Sequence, residues 1–80
     1  MKILLFGSLS EAVGREVQFD LPAQGCSVAE LRQLLADSRA DLAALTRPTV
    51  RACIDQVVAR EDFIVRPEHE VAFLPPLSGG

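Results

Sequence analysis
The sequence predicts an α+β domain in which one main helix packs across a mixed β-sheet. Three observations carry that expectation. Residues 2–6, 15–21, 50–54 and 70–74 are short β-type runs, most of them apolar at every second position. Ser27-Val28-Ala29-Glu30 opens a segment with helical apolar spacing. That helix and the third run separate the first strand from the last, so if these two lie side by side they run parallel.

The first run, Lys2-Ile3-Leu4-Leu5-Phe6, is apolar on both faces and stops at Gly7. It is either buried on both sides or leaves one apolar face for something else. Residues 8–13 can form one helical turn, with Gly14 just past its end. In residues 15–21 Val17, Phe19 and Leu21 share one side, and the short connection makes this strand an antiparallel partner of the first. Ser27 and Glu30 form a capping box, each side chain serving the other's backbone N–H. Val28, Leu31, Leu34 and Leu35 then make an apolar stripe, with Glu30, Arg32, Gln33 and Asp37 on the other sides. Residues 41–45 form a further short turn before Pro48.

Val50, Ala52 and Ile54 point inward from the third strand, and Asp55-Gln56 turns the chain into Val57-Val58. Ile64-Val65 and Pro67-Glu68 make a bend. In the last strand Val71 and Phe73 share one face, Ala72 and Leu74 the other, and Pro75-Pro76 ends the pairing for want of an N–H. With its last strand beside its first, the sheet has the β-grasp arrangement. Residues 1–74 are then the domain and residues 75–80 a flexible C-terminal tail.

Composition narrows the function. With 80 residues, 49% of them hydrophobic, the chain supports one aliphatic core and no second domain. A net charge of −3 argues against nucleic acid as a partner and against an anionic membrane surface. No run approaches the roughly 20 apolar residues of a membrane span, no signal segment is present, and a cytoplasmic location is expected. Cys26 and Cys53 lack the spacing of a zinc or CxxC site and read as reduced thiols. His69 reads as a solvated surface residue with no nucleophile to activate, no phosphate-binding glycine loop occurs, and Glu61-Asp62 and Glu68/Glu70 read as solvated acids without further metal ligands. No metal and no stably bound cofactor is expected.

The unusual feature is the ending, Leu74-Pro75-Pro76-Leu77-Ser78-Gly79-Gly80, which carries no charged side chain. Two prolines extend the exit, and two glycines leave a carboxylate on a thin arm able to thread a tunnel that any Cβ would obstruct. Here the chain resembles the small subunit of molybdopterin synthase, the MoaD family of ubiquitin-like sulfur carriers. The resemblance rests on residues 70–80, and more weakly on residues 2–7, Glu11-Ala12-Val13-Gly14 and the helix opening at Ser27. Asp55 stands where asparagine is common before Gln56, and Pro67-Glu68-His69 where Gly-Asp often precedes the final Glu.

The resemblance implies that Gly80 is the reacting residue and that Pro75, Pro76, Leu77, Ser78 and Gly79 thread it into a partner. An adenylyltransferase related to ubiquitin-activating enzymes would use ATP to adenylate Gly80. A sulfur donor such as a cysteine desulfurase or rhodanese would then convert it to a thiocarboxylate. The large synthase subunit, in a heterotetramer of two small and two large chains, would receive the tail and pass sulfur to cyclic pyranopterin monophosphate. The chain itself would be a non-catalytic sulfur donor. A thiamine-pathway carrier of the ThiS type and a ubiquitin-like modifier remain alternatives. Alternation leaves Leu4, Phe6, Ala72 and Leu74 on the open side of the sheet, and the resemblance maps partner contacts onto Phe6, Val58 and Leu74.

Overall fold
Alternating apolar side chains build the main sheet from five strands: β1 (Lys2–Leu5), β2 (Glu16–Gln18), β4 (Arg51–Ile54), β5 (Val57–Val58) and β7 (Val71–Leu74). They are arranged in the order β2-β1-β7-β4-β5 in the computed structural model, which describes residues 1–76. The expected tail residues Leu77, Ser78, Gly79 and Gly80 lie outside the described residues. β1 runs parallel to β7, with Leu4 opposite Ala72, while β2, β4 and β5 pair antiparallel with their neighbours. The last strand is thus the central one.

α1 (Ser8–Val13) links β1 to β2, and α2 (Val28–Ser38) crosses one face of the sheet. The capping box forms: Glu30 N–H donates to Ser27 Oγ at 3.1 Å and Ser27 N–H to the Glu30 carboxylate at 2.9 Å. Those two bonds hold the Glu30 carboxyl below its ordinary pKa. Val28, Leu31 and Leu35 of α2, Leu42 and Leu45 of the 3₁₀ helix Ala40–Thr46, and Ile3, Leu5, Val71, Phe73, Ala52 and Ile54 of the sheet are all buried in one core. Each fully buried large aliphatic side chain contributes about 1.5–3 kcal/mol.

Four features depart from the expectation. Leu34 is exposed, and Arg32 takes the position under the sheet. Its guanidinium donates to both oxygens of Glu61 at 2.9 Å and to Leu45 O at 2.7 Å, and lies 5.6 Å from the Phe73 ring centroid. Glu61 is therefore an ion-pair partner and not a free solvated acid. β3 (Cys26–Ser27) and β6 (Ile64–Val65) form an additional two-stranded sheet. His69 is half-buried: its Nδ1 accepts from Arg66 N–H at 2.8 Å, which closes the turn before β7.

The Asp55-Gln56 turn has φ of 50° and 70°, the left-handed pair that suits a two-residue hairpin, without the usual glycine. Asp55 supports it from outside. Its N–H donates to Glu70 O and its carboxylate accepts from Glu70 N–H, both at 2.8 Å. The turn is thereby tied to the start of β7.

Candidate functional site
The face of the sheet away from α2 carries two rows of side chains. In the first, Leu4, Ala72, Cys53 and Val58 stand in cross-strand register over β1, β7, β4 and β5. In the second, Phe6 follows β1, its N–H donating to Phe73 O at 3.2 Å, and Leu74 lies opposite Arg51. Phe6 is 48% exposed, Val58 60% and Leu74 36%. Ala72, expected on the open side, faces that way but is only 8% exposed. A methyl group in a central strand is covered by its flanking neighbours Leu4 and Cys53.

The exit of the chain adjoins this apolar face. β7 ends at Leu74, and Pro75 packs against Gly7: a Cβ built on Gly7 would stand 2.8 Å from Pro75 Cγ. Gly7 has φ 57° and ψ −136°, a conformation that side chains seldom adopt. In the sequence Gly7 reads as the end of a strand. Its contact with the tail is non-local, and no pattern within the first run signals it.

Conventional chemistry is not assembled here. Among the described residues no three or more His, Cys, Asp or Glu side chains gather to hold a metal ion, and no helix is long and apolar enough to cross a membrane. Both cysteines are free. Burial and the nearby Glu30 charge push the Cys26 thiol up, which keeps it protonated and a poor nucleophile. Of the expected site residues, Phe6 and Leu74 lie together beside Pro75, whereas Val58 sits across the sheet at the β5 edge. Pro76 follows as the last described residue, and Gly80 is outside the described residues.

The sequence profile of the ThiS family matches residues 3–80. The chain belongs to the ThiS family. This is a family of ubiquitin-like sulfur carriers. The β-grasp fold of this ThiS-family chain matches solved structures from Haloferax volcanii. A crystal structure of SAMP1 superposes with a TM-score of 0.79 at 22% identity, covering 99% of this chain and 97% of that one. A crystal structure of small archaeal modifier protein 1 gives 0.78 at 19% identity, covering 95% of each chain. The solution structure of the HVO 2177 protein gives 0.75 at 16% identity, covering 99% and 84%. At these identities the likeness is one of fold. None of the curated proteins compared with the chain matches it.

Proposed function
We propose that this ThiS-family chain is the sulfur-carrier subunit of a molybdopterin synthase. The observation that supports the reading is the exit of β7: a central strand runs into Pro75-Pro76 beside the exposed Phe6 and Leu74, in a sequence that ends Gly79-Gly80. The tail would enter the partner while the apolar face docks on it.

The chemistry follows from the poor electrophilicity of a carboxylate. A Gly80 oxygen attacks the α-phosphorus of ATP on the activating enzyme, pyrophosphate leaves, and an acyl-adenylate remains. The terminal sulfur of a donor persulfide attacks its carbonyl carbon and expels AMP. A thiol then cleaves the resulting acyl disulfide, becoming oxidised to a disulfide with the donor sulfur and leaving the thiocarboxylate on Gly80. That sulfur is the nucleophile offered to cyclic pyranopterin monophosphate. The acids, bases and cationic groups for these steps belong to the partner enzymes.

Two other readings have a specific support each: the ThiS-family match favours a thiamine-pathway carrier, and the likeness to a small archaeal modifier protein favours a protein modifier. Purification from cells followed by intact-mass measurement separates carrier from modifier. A carrier shows one oxygen exchanged for sulfur at the C-terminus, and a modifier shows amide conjugates. Reconstitution with the large synthase subunit and cyclic pyranopterin monophosphate then tests the molybdenum branch. A thioacid form that yields no dithiolene product there, but supports thiazole formation, overturns it.

A further inference from the structure
The row that carries Phe6 and Leu74 does not stop at the apolar residues. Leu74 is opposite Arg51, and the β4–β5 hairpin continues past β5 through the Ala59 N–H donated to Ala52 O at 2.9 Å. That register sets Arg60 opposite Arg51. Both line one shallow depression with Val58. Like charges in cross-strand register disfavour each other, so the pair is a local cost in a chain whose net charge is −3. The two carboxylates at the same depression offset it only in part, and Arg51 is left uncompensated. Glu61 is held by Arg32, and Asp62 is 3.8 Å from Arg60 with both side chains at least 81% exposed. Arg51 makes no ion pair among the described residues.

We infer that Arg51 and Arg60 select the docking partner: they meet carboxylates that border the apolar groove receiving Phe6 and Leu74. The inference rests on the proposed function and takes the large synthase subunit as the occupant. Charge complementarity argues for it. On an acidic chain, a basic spot beside the exit of the tail attracts an acid-rimmed groove in one orientation, while the remaining surface repels it. The apolar pair supplies contact, and the arginines supply orientation.

The test is titration calorimetry of the large subunit from the same organism with wild type, Arg51→Glu, Arg60→Glu and Arg51→Gln, at low and high salt. Arg51→Glu is expected to weaken binding roughly tenfold to a hundredfold, Arg51→Gln less, and the loss should shrink as salt rises. Thermal melts of the two Arg51 variants should show no loss of stability, since each removes a like-charge pair and no ion pair. Unchanged affinity with an unchanged salt dependence, while wild type binds, overturns this inference and leaves the proposed function standing. A wild type that does not bind the large subunit overturns both.

Discussion
Replacing Gly7 by alanine tests whether the exit of the tail is held by the domain. Two costs add. The backbone at φ 57° and ψ −136° is a glycine conformation, and holding another residue there costs about 1–3 kcal/mol. The new Cβ also meets Pro75 Cγ at 2.8 Å and Cδ at 3.4 Å, the first well inside the ~3.5–4.0 Å optimum for two carbons. A proline ring closes on its own backbone nitrogen and cannot swing aside. Relief therefore requires the backbone at Pro75 to move, and overpacking of this kind costs about 1–3 kcal/mol.

Together these give roughly 2–6 kcal/mol, which at about 4–8 °C per kcal/mol for a domain of this size lowers Tm by about 10 °C or more. The informative assay is a double-mutant cycle in urea with Gly7→Ala, Pro75→Ala and both. The steric part should vanish in the double variant and the backbone part remain, leaving a coupling of about 1–3 kcal/mol. A Gly7→Ala protein within about 0.5 kcal/mol of wild type, or a cycle with no coupling, refutes the reasoning.

Deleting Gly80, or changing Gly79→Val, should leave the Tm unchanged and abolish AMP-adduct formation by the activating enzyme; wild-type adenylation rates would remove Gly80 from the mechanism. Phe6→Ala and Leu74→Ala should weaken binding to the large subunit and the activating enzyme by about 1–3 kcal/mol while costing the isolated domain less, measured by calorimetry beside thermal melts. The Cys26→Ser, Cys53→Ser double variant should still accept sulfur at Gly80, as read by intact mass; sulfur recovered on a cysteine of the wild type would show a persulfide carrier instead. Glu30 titrates lower in the folded chain than in the unfolded one, so its contribution is present above the unfolded pKa and lost as pH falls through the folded one. Urea melts on an acid series should show Glu30→Gln losing that part of the pH dependence.

The strands, the helix start and the parallel placement of β1 and β7 were legible because each rests on a local signal: alternation, a capping box, and the length of chain between the two strands. What escaped is non-local. Cys26–Ser27 and Ile64–Val65 are each too short to show a period, and only their pairing makes them strands. Arg32 reads as a polar flank of α2 because its partner Glu61 lies 29 residues away. Once that carboxylate and Leu45 O satisfy the guanidinium, Arg32 can lie on the buried face of α2 while Leu34 is exposed. The open face was legible in outline, with Phe6 and Leu74 exposed as alternation requires. The roles of Arg51 and Gly7 come from the residues across from them, Leu74 and Pro75, and no local pattern carries them.

The proposed function asks the domain to deliver its own C-terminus to another protein, and therefore to resist forces acting on that terminus. An edge strand would serve poorly, since strands bonded on one side open at low free-energy cost. β7 is paired on both sides, to β1 and to β4, and its Phe73 is fully buried against Arg32. Arg32 is itself fixed by Glu61 and Leu45 O. Displacing β7 thus requires breaking two ladders and a buried cation contact together. Pro75 then ends the ladder with no N–H to donate, and its ring sets φ near −65°, while Gly7 leaves room for that ring against the body of the domain. The direction in which the chain leaves β7 at Pro75 is thus set by packing against the body of the domain, which suits it to the proposed presentation of its terminus to partner enzymes.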